Sequence, residues 1–309
     1  MPSVQNPDLA IDLGTAMARV GVERCTGFAE APARVGATPA LRDGVVVEVE
    51  MASEILRHLF RRYQRLGWRG ARALACAPSD ATEEEVAALE IAVRGAGANE
   101  VFVVPQPLAA AMGAGADVGA HRASMVIDFG EGVTDYAVLS DGYIETCLAV
   151  RGGCCALRAA VLEAVQRETG FLLAETEIER LIRHVGVRAQ SRRIDGIVVA
   201  NGLGPDSTLP RRHAISAGVI ADAIEAGVGE MLDAAATFVE AFEPRWLADV
   251  AESGVLLSGG GALIPGVPAR FGERLGLPIV VAPAPLDSVI NGAREMLGVV
   301  TQAGVWNRR

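Results

Sequence analysis

The sequence predicts an α/β protein with an internal duplication, and three glycine-containing stretches carry this prediction. LAIDLGTAMARVGV (residues 9–22) and VIDFGEGVTDYAVL (residues 126–139) share one pattern: an apolar strand, an aspartate, a glycine turn and a second strand. They lie about 116 residues apart. A third stretch, GVLLSGGGALIPGV (residues 254–267), runs from an apolar strand into three glycines and the start of a helix. The ordered set predicts two similar halves that face one ligand site.

The second hairpin indicates what that ligand is. Gly130 and Gly132 permit positive φ and let an anion approach backbone N–H groups. Asp128, at the end of the first strand, can face such an anion through a cation. Phosphate with magnesium is therefore the expected ligand, and an ordinary glycine-containing hairpin is the alternative.

Composition excludes several classes of protein. A net charge of −10 argues against a nucleic-acid partner, which requires a basic surface. No run of eighteen apolar residues predicts a membrane span, and the N-terminal MPSVQNPD does not resemble a signal peptide. The odd count of five cysteines favours reduced thiols. A cytoplasmic protein is expected.

Several motifs resemble one superfamily, and their order agrees over nearly the whole chain. They are DLGTA (12–16), RDGVV (42–46), APSDATEEEVAAL (77–89), PQPLAAAMGAG (105–115), SMVIDFGEGVTDYAVLS (124–140), RGG (151–153), LLSGGGALIPGV (256–267) and APLDSVINGA (284–293). The chain resembles the actin, sugar-kinase and heat-shock-chaperone ATPases, most closely the MreB-like bacterial actin homologues. The resemblance implies an actin-like ATPase fold with two ribonuclease-H-like lobes around a nucleotide cleft.

The resemblance also implies a division of the chain. Residues 1–149 and 287–309 are expected to form the first lobe, and residues 150–286 the second. A small accessory subdomain of the second lobe is expected at about residues 188–217. The corresponding first-lobe subdomain is expected to be absent or reduced to a loop around residues 27–38, because only thirty residues separate Asp12 from Asp43. Since that subdomain contributes to longitudinal contacts in actin-like filaments, its loss bears on polymerisation.

ATP and Mg²⁺ are the cofactors that the resemblance implies. Asp12 and Asp128 would hold magnesium through water, and Gln106 and Asp128 are the expected catalytic residues. No lysine occurs in these motifs, so magnesium is expected to offset the charge of the acid between the second turn's glycines. The expected nucleotide contacts are Asp12, Gly14, Thr15, Ala16, Gly130, Glu131, Gly132, Thr134, Gly152, Gly153, Glu179, Gly259, Gly260 and Gly261.

The chain departs from its relatives at positions that bear on activity. Gln106 stands where most MreB relatives carry a glutamate that positions the attacking water. Because an amide orients water but is not a strong base, slow hydrolysis is expected. Alternatively, Gln106 only satisfies backbone groups at a strand end. Ile182 replaces a lysine that grips ribose and adenine, and Cys154 and Cys155 replace acidic residues, which weakens the expectation of an adenine nucleotide.

Three functions remain open from the sequence. The first is a cytoskeletal ATPase that self-assembles into filaments for cell shape or intracellular positioning. The second is a non-polymerising, chaperone-like module, such as the actin-like proteins of ethanolamine-utilisation loci. The third is a small-molecule kinase of the same superfamily. Trp68, flanked by Arg65 and Arg69, would also suit contact with the inner face of the cell membrane, although a Trp packed on its own lobe is the alternative.

Overall fold

The computed structural model describes residues 8–23, 27–63, 71–190, 193–204 and 209–302. The Trp68 loop lies outside the described residues, so the predicted membrane contact stays a prediction. The strands are β1 (Leu9–Leu13), β2 (Met17–Val22), β3 (Phe28–Pro32), β4 (Arg34–Val35), β5 (Thr38–Pro39), β6 (Leu41–Arg42), β7 (Val45–Val46), β8 (Ala71–Ala77), β9 (Ala98–Pro105), β10 (Ser124–Phe129), β11 (Val133–Ser140), β12 (Tyr143–Arg151), β13 (Leu172–Leu173), β14 (Ile197–Leu203), β15 (Arg211–Ser216), β16 (Val255–Ser258) and β17 (Ile279–Val281). The helices are α1 (Val49–Phe60), α2 (Glu83–Gly95), α3 (Gln106–Gly113), α4 (Gly153–Thr169), α5 (Glu175–Val185), α6 (Ala217–Glu240), α7 (Pro244–Ser253), α8 (Val267–Leu275) and α9 (Ser288–Gln302).

Two five-stranded sheets repeat one topology. The first has the order β3-β2-β1-β8-β9 and the second the order β12-β11-β10-β16-β17. In each, the middle strand pairs antiparallel with the strand that follows it and parallel with a later one. Both aspartate-bearing hairpins predicted from the sequence are therefore present, and each occupies the same place in its own sheet.

This topology corrects the predicted lobe boundary. The prediction placed residues 1–149 in the first lobe, which is wrong because β10, β11 and β12 pair with β16 and belong to the second sheet. The chain changes sheets after β9, through α3. At the other end, α9 packs against α3, β1, β2 and β8, so the C-terminal helix lies against the first sheet as predicted.

The core has three parts, and alternation along the strands explains them. On β1, Leu9 and Ile11 face one core with the side chains of α1, whereas Ala10 faces the opposite side. There it meets Val126 of β10 and a layer that includes Ile290 of α9. A third core fills the second lobe. Helices α3 and α9 thus lie in the apolar layer shared by both sheets, which brings the two hairpin turns together.

The segment between β2 and α1 differs from its prediction. Residues 27–38 are not a simple loop, because β3 pairs with β2 as an edge strand and buries Ala29 in the first core. Two short ribbons follow, β4–β5 and β6–β7, before α1 begins. The first-lobe accessory subdomain is therefore reduced to these ribbons within the described residues.

The second lobe keeps a small extra sheet. Strands β13, β14 and β15 form it, which agrees with the strand pair predicted near residues 188–217. Helix α6 ends at Glu240, and Pro244 begins α7. Proline fits the first helical turn because its missing N–H needs no partner there. In the described part of the chain, no helix is both long and apolar enough to cross a membrane.

Candidate functional site

The first hairpin holds a compensated charge. Asp12 on β1 lies directly opposite Arg19 on β2, and Arg19 Nη1 donates to Asp12 Oδ2 at 3.1 Å. Asp12 is only 6% exposed. Burial raises its pKa to about 6, Arg19 counteracts this shift, and the nearby charge of Asp128 adds to it. Asp12 and Asp128 therefore share one electrostatic environment, as the predicted cleft requires.

The second hairpin has the same register, but an aspartate stands at the position that Arg19 occupies in the first. Asp128 on β10 lies opposite Asp135 on β11, and both side chains are buried. Gln106 Nε2 donates to Asp128 Oδ2 at 2.8 Å. Asp135 Oδ1 accepts from the backbone N and the hydroxyl of Ser79, at 2.8 and 2.6 Å. Since Ser79 follows β8 of the first sheet, Asp135 joins the two lobes.

Burial raises the pKa of both second-hairpin aspartates. For Asp135 the pKa rises to about 7, against hydrogen bonds from Ser79 that lower it, with a further increase from the Asp128 charge. The pKa of Asp128 is raised by burial and lowered in part by its hydrogen bond from Gln106. Within the described residues, the buried atoms Asp128 Oδ1, Asp135 Oδ2 and Thr134 Oγ1 have no hydrogen-bond partner. The buried polar atoms of the site that lack a hydrogen-bond partner thus lie in this hairpin.

The two hairpin turns touch. The Thr15 hydroxyl accepts from the backbone N of Gly44 at 2.9 Å. A Cβ added to Gly132 would lie 2.3 Å from that hydroxyl and 2.8 Å from the Gly44 nitrogen. A side chain at residue 132 would therefore hold the lobes apart. A phosphate between the turns requires the lobes to separate at this contact.

Gly152 and Gly153 fix the second turn from behind. Gly152 N donates to Gly132 O at 2.8 Å, and the next two N–H groups of α4, from Cys154 and Cys155, donate to the carbonyls of Gly130 and Glu131. A Cβ on Gly153 would lie 2.6 Å from Gly130 O, so close packing requires glycine there. Because C=O and N–H point in opposite directions across a trans peptide, the N–H groups of residues 131 and 132 point away from α4.

Glu131 has a cation partner that the sequence analysis missed. Arg158 on α4 pairs with both carboxylate oxygens of Glu131, and Nη1 lies 2.9 Å from Oε2. The Cys155 thiol donates to Glu131 Oε1 at 2.9 Å. The expectation that magnesium alone must offset Glu131 is therefore wrong, since a guanidinium already does so.

The third glycine stretch has one open position. A Cβ on Gly259 would lie 2.3 Å from Phe129 O, and one on Gly261 would lie 2.2 Å from the Phe129 ring. These two glycines are needed for packing on β10. At Gly260 the nearest atom is a Leu286 methyl at 3.7 Å. Gly260 is thus the glycine of the three best placed for a ligand.

The remaining predicted residues lie in both lobes. Glu179 on α5 is half-exposed and lies 3.8 Å from Arg183. Its charge acts on Cys154 at the start of α4, which places it on the α4 side of the second turn. Ile182 is buried in the second-lobe core. Gly14 and Ala16 lie in the first turn, where Gly14 N donates to Met17 O and Ala16 O accepts from Ala33 N.

Sequence reasoning missed four residues of this site: Arg19, Ser79, Asp135 and Arg158. For Arg19 and Asp135 a signal was available. In both hairpins the aspartate and its cross-strand neighbour are seven residues apart, and this spacing predicts which side chains face each other across the tight turn. Ser79 and Arg158 reach the site through tertiary packing.

The residues fit a phosphate-bearing ligand with a hydrated cation. The second turn directs two N–H groups away from α4, where they are available to an anion. Buried oxygens without partners at Asp128, Thr134 and Asp135 suit water or a cation nearby. In the described part of the chain, no three His, Cys, Asp or Glu side chains are grouped to hold a metal ion directly.

Comparison with known proteins identifies the family of this chain. The MreB/Mbl protein family matches residues 17–304. The chain belongs to the MreB/Mbl family. The cell shape-determining protein MreB of Escherichia coli K12 is 30% identical to this chain over 291 residues. The match covers 94% of this chain and 84% of the Escherichia coli protein.

Solved structures show the same fold. The crystal structure of MreB5 of Spiroplasma citri bound to ADP superposes with a TM-score of 0.87 at 23% identity, covering 98% of this chain and 99% of that one. A MamK double helical filament gives a TM-score of 0.78 at 16% identity, covering 94% and 99%. The predicted actin-like fold is therefore confirmed for this MreB/Mbl protein.

Proposed function

We propose that this protein is an actin-like, ATP-binding cytoskeletal protein of the MreB type. It forms filaments whose assembly depends on nucleotide, and these act in cell shape or intracellular positioning. Hydrolysis of ATP is slow. The observation that carries the proposal is the meeting of two aspartate-bearing hairpins, one from each of two repeated sheets, at Thr15 and Gly132. Membership of the MreB/Mbl family supports the cytoskeletal role.

Each part of the site has a function in this proposal. The N–H groups of the second turn and of Thr15 and Ala16 bind phosphate, whereas the N–H of Gly14 closes the first turn onto Met17 O. Gly260 lies along the nucleoside. Asp12 and Asp128 hold a hydrated magnesium ion, which supplies the positive charge that phosphates need. Ligand binding between the turns replaces the contact of Thr15 with Gly132, so ligand state and lobe separation are linked.

Gln106 supports slow rather than fast hydrolysis. It begins α3, and its amide donates to Asp128, so it lies beside the predicted magnesium ligand. An amide held there can orient a water molecule through its oxygen but cannot remove a proton strongly. The partner of its amide is a carboxylate and not a backbone group, which favours this role over the alternative in which Gln106 satisfies only backbone groups at the strand end.

Assembly is tested by high-speed pelleting and negative-stain electron microscopy of the purified protein with ATP and magnesium. Filaments that need nucleotide are expected. A protein that binds ATP but stays monomeric at all concentrations would instead favour the non-polymerising alternative. The structural reason for testing that alternative is the reduction of the first-lobe accessory subdomain to the ribbons β4–β5 and β6–β7.

Ligand binding is tested by replacing the two aspartates. Asp12→Ala and Asp128→Ala are each expected to abolish binding of ATP with magnesium, because the hydrated cation loses a carboxylate. Isothermal titration calorimetry measures this, and circular dichroism checks that the variants fold. Asp195→Ala, an exposed aspartate far along the chain, is the control and should bind as the wild-type protein does. Unchanged affinity in both site variants would contradict the proposed magnesium site.

A further inference from the structure

The cations of this protein are of one chemical type. The sequence contains 28 arginines and no lysine. Any strong side-chain cation near the hairpin turns is therefore a guanidinium. Arg151, at the end of β12, is already engaged with carboxylates of Asp80 and Glu85 in the first lobe. Arg158 is the arginine that pairs with the second turn itself.

The Arg158–Glu131 pair is partly buried and has two points of contact. Each side chain is 18% exposed. Nη1 donates to one carboxylate oxygen at 2.9 Å, and Nη2 contacts the other. The Cys155 thiol adds a third donor to the same carboxylate. A bidentate guanidinium fixes the direction of a carboxylate as well as its charge. Glu131 is thus held toward α4, on the side opposite the N–H groups of its turn.

This arrangement addresses an electrostatic problem in the site. The turn that offers N–H groups to an anion also carries an acid between its two glycines. A free carboxylate there would repel a phosphate strongly, because the site is partly buried and screening is weak. We propose that Arg158 is a positioning residue of the phosphate site, which neutralises Glu131 and keeps its carboxylate turned away from a bound nucleoside diphosphate or triphosphate. The inference rests on the proposed function.

Arg158 has a second carboxylate partner, so Glu131 can be replaced without leaving a buried charge unpaired. Arg158 Nε also lies 3.8 Å from Glu175 of α5, which in turn pairs with Arg34 of the first lobe at 2.8 Å. When Glu131 is replaced, Arg158 keeps this partner and is not left as an isolated buried charge. Glu131→Gln is therefore expected to fold normally.

The experiment is a double-mutant cycle with ADP and magnesium as the probe, read by calorimetry. Arg158→Gln is expected to weaken the binding of ADP on the order of tenfold or more, because it leaves the charge of Glu131 without a partner. Glu131→Gln should bind at least as tightly as the wild type. The double variant should recover to within about threefold of Glu131→Gln, since no unpaired carboxylate remains. Arg158→Lys should retain most of the affinity. Arg167→Gln, an exposed arginine of the same helix paired with Glu163, is the matched control and should change nothing.

Two outcomes would overturn the proposal while leaving the nucleotide function standing. One is equal affinity of Arg158→Gln and the wild type. The other is a double variant as weak as Arg158→Gln, because a merely structural role for Arg158 predicts no recovery. Only charge compensation predicts that removing the Glu131 carboxylate restores the ADP affinity that Arg158→Gln loses.

A nucleotide-free measurement separates failure of this proposal from failure of the proposed function. The rate of Cys155 alkylation by iodoacetamide, followed by peptide mass spectrometry in a Cys154→Ser background, reports the charge beside its thiol. Arg158→Gln should slow the reaction and Glu131→Gln should speed it, because a thiolate forms less readily beside an uncompensated carboxylate. Equal rates would overturn the charge pair even if the wild-type protein failed to bind ADP, a result that by itself would refute the nucleotide function.

Discussion

Gly292→Ala is expected to lower the free energy of unfolding by about 3 kcal/mol, as an overpacked core does when backbone must move. A Cβ at residue 292 of α9 would lie 1.8 Å from the carbonyl oxygen of Ala109 in α3. No side-chain rotation can relieve this clash, because the opposing atom is backbone. The two helices must therefore separate within the apolar layer shared by both sheets. Urea unfolding followed by circular dichroism measures the change.

The chain offers a matched control for this substitution. Gly229 lies inside α6, and a Cβ there would meet nothing within 4 Å. Gly229→Ala should raise the free energy of unfolding by about 0.5–1 kcal/mol, since alanine has the higher helix propensity. Similar effects of the two substitutions would mean that α3 and α9 do not pack this closely. Because Gln106 begins α3, Gly292→Ala should also displace the amide that contacts Asp128.

Asp135→Asn is expected to stabilise the protein at pH 8 by about 2–4 kcal/mol, from a linkage of about 1.4 kcal/mol per unit of pKa shift. Burial raises the pKa of Asp135 from 3.8 to about 7. The folded state thus binds this proton more tightly than the unfolded state does. The resulting contribution to stability is complete below pH 4 and is lost as the pH rises to 7. Asparagine removes the charge and keeps the oxygen that accepts from Ser79.

Urea unfolding between pH 4 and pH 8, without nucleotide and with EDTA, measures this effect. The variant and the wild type should be equally stable near pH 4 and should diverge as the pH rises. Some slope should remain in the variant, because burial also raises the pKa of Asp12 to about 6 and that of Asp128. Asp195→Asn, at an exposed aspartate, is the control. Parallel profiles for Asp135→Asn and wild type would show that Asp135 is not the buried, protonated link between the lobes.

These two predictions concern the same property, the way in which two lobes are held together. The apolar layer of α3 and α9 joins the sheets at one place, and Asp135 with Ser79 joins them at another. The first contact resists separation at any pH. At the second, loss of the Asp135 proton strengthens the hydrogen bonds from Ser79, but the buried charge costs more stability than these bonds return. A ligand that brings a cation to the second hairpin would offset the charge of Asp128 and Asp135, and so would favour their ionised forms.

Local sequence determined much of this molecule. The strand–Asp–Gly–strand pattern predicted both hairpins, since apolar runs and turn glycines act over a few residues. The order of the motifs predicted the actin-like fold. The sequence also predicted Asp12, Asp128 and Gln106 as site residues. The structure places Gln106 against Asp128 and the charge of Asp128 near Asp12, and their role in binding stays a prediction.

Only the tertiary structure decided which sheet each hairpin joins and which charges meet. Sheet membership depends on the pairing of β10 with β16, strands more than a hundred residues apart, and no local pattern encodes it. The pairing of Glu131 with Arg158 and the link from Asp135 to Ser79 likewise depend on helix and strand packing. Local propensity acts along the chain, whereas charge compensation acts through space. The sequence alone therefore predicted that magnesium must offset Glu131, where the fold supplies a guanidinium.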